Sequence, residues 1–414
     1  MFRSSRFKAL AIAGVALTVG ACNCRGDATT DADGVSIGGW YRVELRGASD
    51  EIVPFFVSLP ADHVAASARL VNGEQQIVAE HSWSGLRVDI AFSVYRTHLE
   101  AEARDDGSLA GAFHHESPAF GDSELELRAE RIDQPDPELR FRSEGEAITD
   151  LPMAWRLTFE DLGDAKLDLS QTGESAVEGI LQLENGNAIY LAGNARGDRL
   201  ALSGFDGSSP YLLDATIAGD RLEAAWIAGP GFSWREDVTG VADPRFELNV
   251  SVALAPNAYR IPVPELREPP YSGSPVILVL TGSWSPASMR AVPFLNELYQ
   301  DHREANLEIL ALNYEFTEDE RHNDEVARTI AEVYDVPWSV VPVDGGAEDY
   351  FSIVPAGLEN IDVQSFPVLV FINRNGLVHE VRAGFPPQAA GELYTTTIET
   401  YRELATEITA HDEL

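Results

Sequence analysis

Cysteine is nearly absent: the 414 residues hold two, Cys22 and Cys24, both at the extreme N-terminus. No disulfide can staple a domain core, and no thiol chemistry is available beyond residue 24. Lysine is as scarce, occurring only at Lys8 and Lys166, so arginine carries nearly all the positive charge. Positive charge is itself short, with 30 Lys plus Arg against 67 Asp plus Glu and a formal net charge of −37. That excess opposes any grip on a phosphate backbone and argues against nucleic acid as a partner. What is present argues against generic disorder, since 44% hydrophobic and 9% aromatic residues can supply cores for the two or three domains that the length suggests.

Residues 1–21 carry Arg3, Arg6 and Lys8, then an apolar run from Ala9 to Val19, then Gly20 and Ala21. This is the order and size of a secretory signal. The run is shorter than the about 20 residues of a spanning helix. Val19-Gly20-Ala21-Cys22 resembles the bacterial lipobox, which implies cleavage before Cys22 and lipidation of its sulfur. A plain signal peptide followed by an incidental cysteine is the alternative. Asn23 is not the aspartate that by analogy retains lipoproteins at the inner membrane, so the expected place is the bacterial cell envelope, lipid-anchored at the outer membrane and facing the periplasm. Residues 22–37 are polar, small and without apolar period, which reads as a flexible tether; Arg25-Gly26-Asp27 within it is a chance tripeptide.

From 38 to 243, short alternating runs separated by Gly, Asp and Asn turns read as an antiparallel β module. It repeats, at about 38–150 and 151–243. Leu70-Val71-Asn72-Gly73 aligns with Leu183-Glu184-Asn185-Gly186, Leu86 with Leu200, and Leu109 with Leu222, at offsets of 113 or 114; Trp40 and Trp155 repeat at 115. Each copy has strands enough for a small barrel or half of a larger one. His114-His115-Glu116 offers ligand atoms, yet neighbours on a strand face opposite ways and no third ligand is evident, so no metal or cofactor is assigned. Phe205-Asp206-Gly207-Ser208 reads as a solvated hairpin, with ligand contact as the alternative.

Seven prolines between 244 and 275 mark a linker. Beyond it, 276–410 reads as an α/β domain. Val276–Thr281 is a strand buried on both faces. Gly282-Ser283-Trp284-Ser285 turns into a helix opened by Pro286. Strand Leu307–Tyr314, a helix from about Asp319, strand Trp338–Val343, an irregular insert, strands Val368–Asn373 and Leu377–Gly384 and a last helix from about Gln388 follow.

That order, with Phe366-Pro367 just before a strand, resembles the thioredoxin fold. GSWSPASMRAVPFLNELY from Gly282, ILALNYEFTEDE from Ile309, SFPVLVFINRNGLV from Ser365 and AGFPPQAAGELY from Ala383 resemble the TlpA-like thiol-disulfide reductases of bacterial envelopes. The resemblance spans about 270–410 and extends less surely to LSGFDGSSPYLL at Leu202. It implies a Trp-Cys-x-x-Cys turn, where this chain has Trp284-Ser285-Pro286-Ala287-Ser288. Serine has no two-electron couple and no accessible anion at neutral pH, so Ser285 and Ser288 keep the geometry and lose the reaction. A hydrolytic Ser285 would need an adjacent base, and His302, His322, His379 and His411 fall in helical, acidic-loop, strand and C-terminal contexts. Ser285 and Ser288 are expected instead to cap the helix or to hydrogen-bond in place of the thiols. The resemblance places the cis-proline at Pro367, and implies a peptide-binding patch of Trp284, Ser285, Pro286, Phe366 and Pro367. The acidic Glu315, Glu318, Asp319 and Glu320 read as a solvated helix start.

The expectation is therefore a non-catalytic envelope lipoprotein that binds or holds extracytoplasmic proteins or peptides. Its alternatives are a thiol-disulfide oxidoreductase, as the resemblance implies, and ligand binding or transport by the β module.

Overall fold

Residues alternate buried and exposed along most strands between 39 and 242, the pattern that curls a sheet with one apolar face inward. A computed structural model describes residues 37–49, 51–61, 67–117, 121–250, 259–317, 319–343 and 365–410. Cys22, the secretion signal, nearly all of the tether, Glu318 and the insert before Ser365 lie outside the described residues. No described helix is long and apolar enough to cross a membrane.

The first repeat forms β1 (Gly39–Arg46), β2 (Ile52–Leu59), β3 (Ala68–Asn72), β4 (Gln75–Ser84), β5 (Arg87–Phe92), β6 (Thr97–Ala103), β7 (Leu109–His115) and β8 (Ser123–Ile132). The second forms β9 (Ala154–Phe159), β10 (Asp164–Gln171), β11 (Ala176–Leu183), β12 (Ala188–Arg196), β13 (Arg199–Phe205), β14 (Pro210–Ala218), β15 (Arg221–Ala228) and β16 (Trp234–Ala242). Each set runs up and down in sequence order and closes on itself, so there are two separate barrels and no open edge to manage. Eight strands leave an interior that side chains fill. Leu45, Phe55, Leu70 and Phe113 pack the first barrel, and Trp155, Leu167, Leu181 and Trp226 the second.

The duplication is real, but its register differs in two places. Trp40 is only partly buried, and the residue that occupies the place of Trp155 is Tyr41, buried like it. Both side chains donate to an upstream carbonyl at 2.8 Å, Tyr41 to Ile37 and Trp155 to Pro152. In the hairpins that open β5 and β13, Ser84 pairs with Arg87 and Arg196 with Arg199, so Arg87 matches Arg199 and Leu86 does not match Leu200.

The barrels meet through the turn after β13. Phe205 leaves its own barrel and enters the core of the first, stacked on Phe55 at 4.9 Å and edge-on to Phe113 at 5.3 Å and Phe92 at 5.7 Å. Backbone and polar groups follow it across. Asn72 Nδ2 donates to Phe205 O at 2.7 Å, Ser203 Oγ to Pro54 O at 2.9 Å, and Thr97 Oγ1 to Gly207 O. Arg140, in the segment joining the barrels, is buried in the same seam, where its guanidinium donates to Asn72 Oδ1 and Ser203. Loss of water around that cation pushes its pKa down to about 9.

The C-terminal domain carries β17 (Val276–Thr281), α1 (Pro286–Asp301), β18 (Glu308–Asn313), α2 (Glu320–Val333), β19 (Ser339–Pro342), β20 (Val368–Ile372), β21 (Val378–Ala383) and α3 (Glu392–Thr409). The sheet order is β19-β18-β17-β20-β21, parallel across the first three and antiparallel after β17, which is the thioredoxin-like arrangement expected. α1 and α3 cover one face through Phe294, Leu298, Tyr401 and Leu404. The proline-rich stretch expected as a linker covers the other: Ile261, Val263 and Tyr271 are buried against Leu278, Leu280 and Val370. Proline withholds backbone donors from a ladder but leaves apolar neighbours free to pack.

Phe205→Ala removes a fully buried ring from the inter-barrel seam. In urea unfolding followed by circular dichroism it is expected to destabilise the barrels by about 3–5 kcal/mol. Val78→Ala, at an exposed position on β4, is expected to change stability by less than about 0.5 kcal/mol.

Candidate functional site

The turn between β17 and α1 is held from both sides. Ser285 is the N-cap of α1: its Oγ accepts from Ser288 N at 3.3 Å and donates to Phe366 O at 3.0 Å. It is the capping serine that the sequence led us to expect. Ser288 does not behave as expected, because its buried Oγ makes no hydrogen bond to any described residue. Trp284 Nε1 donates to Tyr314 O at 2.9 Å, and its ring lies 4.5 Å from Phe316 and 5.3 Å from Phe366. The Phe366–Pro367 peptide is cis, at the position expected. Ser285 Oγ donates its hydrogen bond to a carbonyl rather than to a base, so among the described residues nothing activates it as a nucleophile.

Two carboxyl groups withdrawn from solvent, one buried and one half-buried, flank this turn. Glu315, expected as part of a solvated run, is 5% exposed and accepts from Ser283 N, Ser283 Oγ and Asn313 Nδ2, each at 2.9 Å. Asp319 does cap its helix, accepting from Arg321 N and His322 N. Asp206 is no solvated hairpin either. It is half-buried, its Oδ1 accepting from Ser208 N and Ser209 N and its Oδ2 from Tyr211 OH at 2.8 Å. Burial raises both carboxyls above their ordinary values, against the lowering effect of these hydrogen bonds.

Both groups face one cavity of about 670 Å³ between the two barrels and the C-terminal domain. Ser285, Pro286 and Trp284 form part of its wall, opposite aromatic side chains such as Tyr211 and Trp226. Arg290 of α1 lines it too, as does His322, which lies in α2 rather than in a loop. Arg96 joins the first barrel to this rim, 3.0 Å from His322 Nδ1. Burial and the Arg96 charge lower the His322 pKa, leaving it neutral near pH 7.

The patch expected for peptides is assembled, but it is not open. Ser285, Phe366 and Pro367 are buried, with Trp284 and Pro286 half-buried. The β11–β12 hairpin of the second barrel lies against the cis-proline loop: Ser365 Oγ donates to Asn185 O at 2.5 Å. At Gly384, whose φ is +81° and whose N–H bonds Pro367 O, a Cβ would come within 2.0 Å of Gly186 O. Only glycine permits that approach. Sequence reading missed Glu315 and Arg290 as wall residues, and held ligand contact at Asp206 only as the alternative, because their convergence depends on how domains dock. The one available signal was LSGFDGSSPYLL, which holds Asp206 and Tyr211.

Residues 273–378, about a quarter of the chain, match the thioredoxin-like family model. Similar solved structures include a protein assigned as the thiol:disulfide interchange protein DsbE of Chlorobium tepidum, at 18% identity over 34% of this chain and 82% of that one, TM-score 0.26. StoA from Bacillus subtilis matches at 18% identity over 33% and 84%, TM-score 0.23. The thioredoxin domain of a thiol-disulfide oxidoreductase from Bacteroides vulgatus matches at 16% identity over 36% and 95%, TM-score 0.24. Comparison with curated proteins gives no match.

The raised carboxyls set a pH dependence. Their protonated forms are favoured by folding, so the stability they supply is full below the ordinary values of 3.8 and 4.5 and is lost as pH rises through the folded-state pKa. Asp206→Asn and Glu315→Gln mimic the neutral form. Each is expected to melt near wild type at about pH 4 and above wild type at about pH 8, in thermal scans across that range.

Proposed function

We propose that the chain is a non-catalytic binding protein of the bacterial envelope, tethered by lipid on Cys22, that takes a small, largely apolar ligand into the cavity between its barrels and its TlpA-like thioredoxin domain. The observation that carries this reading is the wall itself. The turn that would hold a redox pair has serine at both positions, and it faces an aromatic-lined cavity whose size falls in the range of small-molecule sites. Asp206, Glu315 and Arg290 are among the polar groups on its wall that can orient a ligand. The cell-envelope location rests on the N-terminal signal and the lipobox resemblance.

Extracytoplasmic proteins or peptides docked on Trp284, Ser285, Pro286, Phe366 and Pro367 are the second reading, favoured by the retained turn and cis-proline. Such a client has to displace the Asn185-Gly186 hairpin first. Thiol-disulfide exchange is the third, and the absence of any cysteine after Cys24 opposes it.

Native mass spectrometry of protein purified from membranes is expected to find a bound small molecule. The neutral fluorophore N-phenyl-1-naphthylamine is expected to bind the emptied protein saturably, and Pro286→Trp, which puts a large ring into the cavity from a half-buried position, to abolish it. Repeatedly empty preparations together with probe binding indifferent to Pro286→Trp would falsify the ligand reading.

The wild type is expected to give no turnover in an insulin-reduction assay. Ser285→Cys with Ser288→Cys places a thiol at a helix N-terminus, where its pKa falls below about 8.5. That double variant is expected to form an internal disulfide with oxidised glutathione, seen as loss of two alkylatable thiols.

A further inference from the structure

His114 and His115 point to opposite sides of β7, as adjacent strand residues must. His115 turns toward the cavity, whereas His114 stands on the outer face of the first barrel, where strand spacing alone reveals no companions. The barrel supplies them from neighbouring strands. His98 on β6 is the direct cross-strand partner of His114, and the two imidazoles stack with centroids 4.7 Å apart. Glu100 follows His98 at the next outward position, because Leu99 and Ala101 point into the barrel core. Ligand atoms of His98, Glu100 and His114 all lie within 4.8 Å of one another.

We infer that His98, Glu100 and His114 form a binding site for a divalent transition-metal ion, of which Zn²⁺ is the type, on the outer face of the first barrel. Two imidazoles and one carboxylate are a donor set that suits zinc and its neighbours rather than magnesium or calcium. Bonds of about 2.0–2.2 Å to a tetrahedral ion put ligand atoms about 3.3 Å apart. Small side-chain rotations close the present cluster to that distance, and the half-exposed site leaves a coordination position for water. A carboxylate stands behind one ligand: Glu124 on β8 pairs with His114 across the ladder and brings Oε2 to 3.6 Å from its Nδ1. Accepting that proton would present Nε2 to the ion. Glu100 is held at present by Arg87 from β5, so binding exchanges an exposed ion pair for a metal bond. The strands are closed into a barrel, which fixes the histidine pair before any ion arrives.

The test is calorimetric titration of the purified full chain with Zn²⁺, free thiols alkylated, at about 0.15 M salt to suppress loose attraction to the acidic surface. One tight equivalent is expected, and His98→Ala and His114→Ala are each expected to weaken it at least about tenfold. Glu100→Gln is expected to weaken it less, and His115→Ala to leave it unchanged. Circular dichroism melts verify that each variant folds, which the outward orientation of the side chains favours. With Co²⁺ in place of Zn²⁺, visible absorption bands of a four-coordinate site are expected in wild type and lost in His98→Ala. Absence of a tight equivalent, or one that survives both histidine substitutions, overturns the assignment.

Discussion

Phe205 belongs to one barrel by sequence and to the other by packing. A closed eight-stranded barrel has no edge to offer a neighbour and no free face inside, so two such barrels can join only by exchanging side chains at their surfaces or mouths. Here the ring of Phe205 crosses into a cluster of Phe55, Phe92 and Phe113, and Leu212 and Ile227 of the second barrel pack against the same core. The chain on either side is then committed. Ser203 and Asn72 bond across the seam, and Arg140 is drawn in with them despite the desolvation that lowers its pKa. A buried arginine whose hydrogen bonds go to neutral acceptors is costly unless its neighbours are fixed, and this seam fixes them.

The next residue inherits that placement. Asp206 follows Phe205, so once the ring is seated the carboxyl has nowhere to go but the space between the barrels, where Ser208, Ser209 and Tyr211 satisfy it locally. The other hairpin of the second barrel, Asn185-Gly186, meets the C-terminal domain through Ser365 and Gly384. These two contacts set the cavity's walls relative to one another. The cavity thus depends on contacts between units that each complete a core of their own.

Much of the internal order was readable. The alternating β period, the duplication and the order of strands and helices in the last domain follow from local patterns, which act over a few residues. The capping role of Ser285 was readable for the same reason, since an N-cap is a local device. Where several such patterns compete, reading slips by a residue: Trp40 attracts notice as an aromatic, yet inward parity belongs to Tyr41. What was not readable is docking. The burial of Glu315, the recruitment of Ile261 and Val263 to the sheet and the meeting of Asp206 with Ser285 around one space come from contacts between residues far apart in sequence. Composition even misdirected, because prolines and acidic residues are read as surface until the partner that covers them is known.

The serine pair and the covered patch are consistent with each other. A dithiol turn works on a second protein only if that protein's disulfide can lie beside the cis-proline and reach the first sulfur. In this chain the Asn185-Gly186 hairpin lies on that loop, and the carbonyl of Phe366 is already bonded to Ser285. A cysteine at position 285 would face an internal space rather than a client. Serine there still caps α1 and ties it to Phe366, just before Pro367, so the turn keeps its contribution to folding. Ser288 marks the limit of that substitution: its hydroxyl stays buried and unbonded, a polar atom where a sulfur would sit at lower cost. On the non-catalytic reading, the first serine is held by its hydrogen bonds and the second by position alone.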